Sequence, residues 1–326
     1  MTPNSLQEQL IKYLTDAHSI EQQALAQMRA APKIAGDDEI AAAFSDHLSE
    51  TEHHERLVAE RLASHGAKPS RVKDLMGGLT GKGFGAFAIA QPDTTGKLVV
   101  HAFSYEHMEE GAYDLLGRVA ERAGDPAAVQ AASEIERQER AMGDRLAGLF
   151  DRAVDAALPA RNRDDVGQRL DKYLADAHAI EAQALRLLEK SPRLAGASEL
   201  ASAYEEHRKQ TEEHQQLVAA RLTARGSEPS KLKDAALALG ALNWGMFFQA
   251  QPDTPAKLAA FAFAFEHLEI GAYEMLRRVA ARAGDLDTEQ VASRILAEEQ
   301  AAARLIRSLF GQALDASLHD QSLAAR

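Results

Sequence analysis

The stretch LVVHAFSYEHMEEGAYDLLGRVAERAGD at residues 98–125 returns as LAAFAFAFEHLEIGAYEMLRRVAARAGD at residues 258–285, with 17 of 28 positions identical. Two other segments return at the same offset of 160 residues. TDAHSIEQQAL at 15–25 reappears as ADAHAIEAQAL at 175–185, and RLASHGAKPSRVKD at 61–74 as RLTARGSEPSKLKD at 221–234. A constant offset leaves no net insertion between the copies. Two copies are too few for a solenoid, and each is the size of a domain. The chain therefore reads as a duplicated domain, residues 1–160 and 161–326, joined near LPARNRDD at 158–165. A residue kept in both copies is one that two similar folds both tolerate or both need.

The same stretch fixes the type of element. Its apolar residues recur with helical rather than alternating spacing, and Gly124 near its end marks the helix stop. The ten prolines lie at 3, 32, 69, 92, 126, 159, 192, 229, 252 and 255, so long proline-free runs remain between them. Four helices per copy are expected. In copy 1, helix A covers roughly 5–30 and opens on a Ser5/Glu8 capping box. Helix B covers roughly 38–65 and stops at Gly66; helix C covers roughly 95–123. Helix D opens at Asp125-Pro126, a capping side chain followed by proline at the first helical position. Copy 2 repeats the plan, with Thr254-Pro255 opening its helix C. The A–B and C–D links are short, whereas B–C runs to about 30 residues. One long crossover is the wiring of ferritin-like bundles, so the expected fold is all-α, two tandem ferritin-like four-helix bundles.

Composition narrows the function. With 326 residues, 45% hydrophobic and 26% charged, the chain can bury a core in each half. No apolar run is long enough to span a bilayer. The absence of cysteine removes disulfides, thiol catalysis, zinc fingers and iron–sulfur clusters together. A formal charge of −12, with no basic stripe, argues against a nucleic-acid partner. The N-terminus MTPNSLQEQL has neither a basic stretch nor an apolar segment, so a cytoplasmic location is expected.

At 100° per residue, the inward face of every helix carries an ionisable residue. Glu21 sits on the stripe Leu10, Ala17, Ala24 and Met28 of helix A. His47, Glu50 and His54 lie on or beside the stripe Ile40, Phe44, Thr51, Val58 and Leu62 of helix B, while His53 faces away. Glu106, Glu109 and Tyr113 share a face of helix C, with His107 pointing elsewhere. On helix D, Ile135, Met142, Leu146 and Leu149 face in, flanked by Gln138 and Glu139. No Lys or Arg shares these stripes. Burying lone carboxylates costs several kcal/mol each. A pair of divalent cations is the simplest compensation, and hard carboxylates with one or two imidazoles suit iron or manganese. Singly, each Glu is as well explained by a helix edge; the coincidence on four helices is what points to metal.

Copy 2 keeps Glu181, His207, His214, Glu266, Glu269, Tyr273 and Glu299 at the matching positions. His53 becomes Glu213 and Glu110 becomes Ile270, as expected of outward positions. Glu50 becomes Gln210 and Gln138 becomes Glu298, so one inward carboxylate is lost and a charge returns from another helix. An amide is the poorer ligand, so a weaker second site is expected.

At these residues the sequence resembles the YciE/YciF family of ferritin-like proteins. The matching pieces are DAHSIEQQAL and DAHAIEAQAL, the H-x-x-E-T segment at 47–51, PSRVKD and PSKLKD, EHMEEGAY and EHLEIGAY, and the pair Glu298–Glu299. The resemblance covers nearly the whole chain, once per copy. It implies a four-helix bundle, a dinuclear metal centre and an association with stress responses. Carried over, it makes Glu21, Glu50, Glu106, Glu109 and Glu139 metal-facing, with Glu181, Glu266, Glu269 and Glu299 in copy 2. His54 and His214 join them as ligands, although the helix B histidine follows Glu50 by four residues rather than three. Neither helix D carries a Glu-x-x-His. His47, Tyr113, Gln138, His207, Gln210, Tyr273 and Glu298 are expected behind the ligands, as is His18 as a packing group.

The crossovers 77–90 and 236–250 are apolar for loops. They are expected to be buried between the two copies or at an oligomer interface, the alternatives being membrane-surface contact or a lid over the site. The expected function is a di-iron or di-manganese carboxylate protein, with one centre per copy, reacting with O₂ or peroxide in oxidative stress or iron handling. The alternative is a non-enzymatic helical scaffold whose inner carboxylates are protonated.

Overall fold

The computed structural model describes residues 5–69, 94–158, 163–228 and 253–323, and every regular element among them is helical. The chain divides into two compact units, Met1–Ala157 and Leu158–Ala324. In the first, α1 is Leu6–Met28, α2 Ala31–Ile34, α3 Asp38–Ser64, α4 Thr94–Ala123, α5 Pro126–Ala147 and α6 Phe150–Ala157. In the second, α7 is Arg163–Leu188, α8 Ser191–Leu194, α9 Ser198–Ala224, α10 Thr254–Ala283, α11 Leu286–Ser308 and α12 Phe310–Asp320. Each unit is a ferritin-like four-helix bundle. Among the described residues, no helix is long and apolar enough to cross a membrane.

The helix ends follow from local chemistry. The Ser5 hydroxyl accepts from the Glu8 N–H at 3.2 Å, and Asp37 accepts from the amides of Glu39 and Ile40. Asp125 accepts from the Ala128 N–H, with Pro126 filling the first position, where no donor is needed. Gly66 and Gly124 end α3 and α4 at φ of 67° and 71°, a region that penalises any side chain. Helix D is shorter than its sequence pattern predicts. It ends at Gly148, and a separate helix, α6, follows; α12 repeats this in copy 2. The buried rings of Phe150 and Phe310 seat these helices edge-on against Phe103 and Phe263, with centroids 5.4 Å and 5.6 Å apart.

Within the first unit α1 packs on α3 and α4, and α5 packs on the same two helices; α7, α9, α10 and α11 repeat this ring. Consecutive helices α3 and α4 thus occupy opposite corners, which is why a long connection separates them. The crossovers 77–90 and 236–250 lie outside the described residues. The expected apolar stripes do form the cores: Leu10, Ala24, Met28, Ile40, Phe44, Leu62 and Ile135 are all essentially inaccessible. Each such aliphatic or aromatic side chain contributes roughly 1.5–3 kcal/mol. That apolar surround sets the cost of every charge placed inside it.

Glu110 departs from its expected outward position. It is buried, and it binds Arg140 of α5 at 2.7 Å. The close packing of α5 on α4 covers the flank that a helical-wheel reading leaves open. Copy 2 has the buried Ile270 there and Gln300 opposite, an uncharged replacement for the ion pair.

Candidate metal centre

Four helices deliver six ionisable side chains to the middle of the first bundle. Glu21 comes from α1, Glu106 and Glu109 from successive turns of α4, and Glu139 from α5. Both imidazoles come from α3, where His47 and His54 stand seven residues, or two turns, apart on one stripe. All six residues are buried.

Glu139 is the centre of the arrangement. Its Oε1 lies 2.7 Å from His54 Nδ1, and its Oε2 lies 3.2 Å from His47 Nε2. His47 Nε2 is also 3.0 Å from Glu106 Oε2, and His54 Nδ1 is 4.0 Å from Glu21 Oε2. Two triads result, Glu21/His54/Glu139 and His47/Glu106/Glu139, whose ligand atoms lie within 4.8 Å of one another. Copy 2 repeats both as Glu181/His214/Glu299 and His207/Glu266/Glu269/Glu299. There His214 Nδ1 is 2.8 Å from Glu299 Oε1, and His207 Nε2 is 2.9 Å from Glu266 Oε2.

Close as they are, these inward atoms do not satisfy one another. Among the described residues, Glu21 Oε2, His47 Nε2, His54 Nδ1 and both oxygens of Glu106, Glu109 and Glu139 make no hydrogen bond of acceptable geometry. In copy 2 the same holds for Glu181 Oε2, His207 Nε2, His214 Nδ1, Glu266 Oε2 and both oxygens of Glu269 and Glu299. Buried polar atoms are normally paired, because leaving one unpaired costs about 1–3 kcal/mol. Here the lone pairs converge on shared points instead of on donors. Carboxylate oxygens and imidazole nitrogens gathered in this number could hold metal ions.

The outward atoms of Glu21, His47 and His54 are satisfied. Tyr113 donates its hydroxyl to Glu21 Oε1, as Tyr273 does to Glu181 Oε1. His47 donates from Nδ1 to Glu50 Oε2 at 3.0 Å, and His54 from Nε2 to Gln138 Oε1 at 2.7 Å. Each imidazole is thereby held with its other nitrogen aimed inward, the usual support of a metal-binding histidine.

Charge explains the proton distribution in the metal-free cluster. Burial pushes Glu21 up to about 8, with the Glu139 charge adding to it, and Glu106 up to about 7. Burial also raises Glu109 far above the carboxylate range, helped by Glu139, Glu21 and Glu106. Burial would raise Glu139 too, but the protonated rings of His47 and His54 hold it well below its ordinary value. Burial opposes charge on His54, yet Glu139 carries it up to about 9; Glu106 raises His47 likewise. Copy 2 follows suit, with Glu181 at about 8, Glu266 at about 7, and His207 and His214 at about 10 and 9 against the opposing effect of burial. Protons therefore do the neutralising that a cation would do.

The sequence reading places Glu50 among the ligands and His47 behind them. His47 reaches the cluster, whereas the Glu50 side chain is 49% exposed and sits behind it as a hydrogen-bond acceptor. Gln138, Glu298 and Gln210 each accept a hydrogen bond from a histidine of the cluster. The His47-x₆-His54 spacing, repeated at His207 and His214, was the available signal. It also accounts for the missing Glu-x-x-His on helix D, since helix B supplies both rings. His18 pairs with Glu55, and His107 with the Phe103 carbonyl, both away from the cluster.

The copies differ in what lies outside the rings. In copy 1 Arg145 binds Asp46 at 3.0 Å, and Met142 lies three residues before Arg145 on α5. The matching residues of copy 2 are Leu305, Glu206 and Ala302, which line a cavity of about 130 Å³ reaching His207, Gln210 and Glu298.

No curated protein and no solved structure matches this chain. One family model does, the domain of unknown function DUF892, over residues 5–158 and again over 166–319. With two matches that together cover nearly all of its length, the chain belongs to the DUF892 family of the ferritin-like superfamily, in tandem.

Proposed function

We propose that residues 1–160 and 161–326 each form a dinuclear iron or manganese centre that reacts with O₂ or peroxide, in iron handling or oxidative stress, in the manner of the YciE/YciF proteins. The observation that carries this reading is the convergence of buried, unbonded carboxylate and imidazole lone pairs from all four helices. Glu21 and His54 would hold one ion and His47 and Glu106 the other, with Glu139 common to both sets and Glu109 joining the second, as Glu269 joins His207 and Glu266 in copy 2. A bound iron or manganese pair supplies redox equivalents to an oxygen substrate. The chain's own contribution is to fix the ligands, exclude bulk water and keep Tyr113 donating to Glu21. A helical scaffold with protonated inner carboxylates is the competing reading, and it leaves those lone pairs without a use.

Metal analysis tests it. The purified protein is loaded anaerobically with Fe(II) or Mn(II), freed of excess and measured for bound metal. About four ions per chain are expected for two dinuclear centres; fewer than about one per chain refutes the proposal. Oxygen consumption by the Fe(II)-loaded protein then tests the reaction.

A further inference from the structure

The histidines of the two bundles are supported by the same hydrogen bonds with the acceptors exchanged. In copy 1 the carboxylate of Glu50 backs His47, and the amide of Gln138 backs His54. In copy 2 the amide of Gln210 backs His207 at 3.3 Å, and the carboxylate of Glu298 backs His214 at 2.7 Å. Each bundle keeps one carboxylate-backed and one amide-backed ring. The exchange reaches the next layer too. Glu298 is held at 2.9 Å by Arg294, which also binds Glu213. In copy 1 those positions are Glu134 and His53, which pair with each other at 3.8 Å. Arg294 thus appears where the outer acceptor is a carboxylate, and Glu134 where it is an amide.

An imidazole that donates its far N–H to a carboxylate becomes more basic at the nitrogen facing the metal than one that donates to an amide. We infer that the two bundles fill their metal positions in opposite order: beside His47 and Glu106 first in copy 1, and beside His214 and Glu181 first in copy 2. This rests on the di-metal reading above and adds an internal asymmetry to it. Gln210 is then not the mark of a weakened site. It is half of a transposition that leaves the count of outer carboxylates unchanged.

The test uses Co(II) alone as the probe, titrated into the intact chain carrying nitrogen-15 histidine. Paramagnetically shifted ring N–H signals report which imidazole has a neighbouring ion. The N–H sits on Nδ1 of His47 and His207 but on Nε2 of His54 and His214, so nitrogen shifts separate the two types. At one Co(II) per bundle, the shifted signals should be one of each type, assigned to His47 and His214 by their loss in the first step of E50Q and E298Q. Each of these isosteric changes should weaken that first step about 10- to 100-fold. The double change E50Q with Q138E should move the first ion of copy 1 to His54. Early signals from two rings of one type, or a first step untouched by E50Q and E298Q, would overturn the inference while leaving the metal centres standing. Absence of shifted histidine signals at saturating Co(II) would remove the di-metal reading, and this inference with it.

Discussion

Raising the pH from 5 to 9 should destabilise the metal-free protein and stabilise the cation-loaded one. In the metal-free bundle Glu21 moves from 4.5 to about 8, Glu106 from 4.5 to about 7 and His54 from 6.5 to about 9. Each of these groups binds its proton more tightly in the folded chain than in the unfolded one. The stabilisation is complete below the unfolded value and is withdrawn as pH climbs through the folded value. Glu139 is displaced the other way, so its contribution is present above 4.5 and disappears only in stronger acid. Within the window from 5 to 9, Glu21, Glu106 and His54 therefore act with one sign. For the fully buried Glu21 alone, the rise from 4.5 to about 8 corresponds to about 5 kcal/mol. At about 2–4 °C per kcal/mol for a domain of this size, the melting temperature should fall by about 10–20 °C.

A cation reverses the trend because it needs the deprotonated ligands, and each proton it displaces strengthens binding about tenfold per pH unit. At a free concentration 100 times its dissociation constant, it adds about 2.7 kcal/mol. The assay is calorimetry at intervals between pH 5 and 9, with the protein either chelator-treated or loaded with Mn(II). The gap between the two melting curves should widen with pH. The isosteric pair E21Q and E181Q should flatten the metal-free slope. Parallel curves, or a metal-free protein that gains stability toward pH 9, would refute the reasoning, because buried carboxylates would then not be the groups that titrate.

Three further outcomes follow from the same geometry. E139Q removes the carboxylate common to both triads and should leave the chain with about half its metal, whereas E21Q should cost about one ion; equilibrium dialysis with metal analysis separates these. Loading at pH 7 should release about four protons per bundle in copy 1, from His47, His54, Glu21 and Glu109, and a pH-stat that records almost none would count against the proton-filled apo site. L305R places an arginine opposite Glu206, as Arg145 stands opposite Asp46, so stripping of metal from copy 2 by a chelator should slow severalfold, and an unchanged rate would show that ions leave by another path.

Much of this was legible before any coordinates. The 160-residue offset, the proline spacing and the caps at Ser5, Asp125, Gly66 and Gly124 define the helices, because each is a local rule of backbone chemistry. The faces of Glu21, Glu106, Glu109 and Glu139 followed from periodicity. What periodicity cannot supply is depth and reach. Glu50 and His47 are three residues apart on one helix, about 60° apart around its axis, and both could be drawn pointing in. Packing decides between them: His47 points down the bundle axis, and Glu50, at the boundary, folds back onto its ring. Glu110 escaped for a related reason, since only the closeness of α5 to α4 shows that its flank is covered. The helices α6 and α12 escaped because the apolar pattern runs on past Gly148 and Leu309 with no proline to mark the break.

The duplication bears on why the carboxylates are there at all. A fold needs no buried charge, and well-packed apolar side chains of similar volume in its place are commonly neutral or stabilising. Copy 2 gives up its buried charge at the flank, where the Glu110–Arg140 pair is replaced by the uncharged Ile270 and Gln300. It makes no such replacement at the axis. Glu181, Glu266, Glu269, Glu299, His207 and His214 all persist, although burial disfavours the charge on every one of them. Even the two changes nearest the axis, at positions 210 and 298, cancel in charge and keep both histidine hydrogen bonds. Packing alone would let these residues relax toward leucine and methionine; the dinuclear centres proposed above would supply the opposing demand.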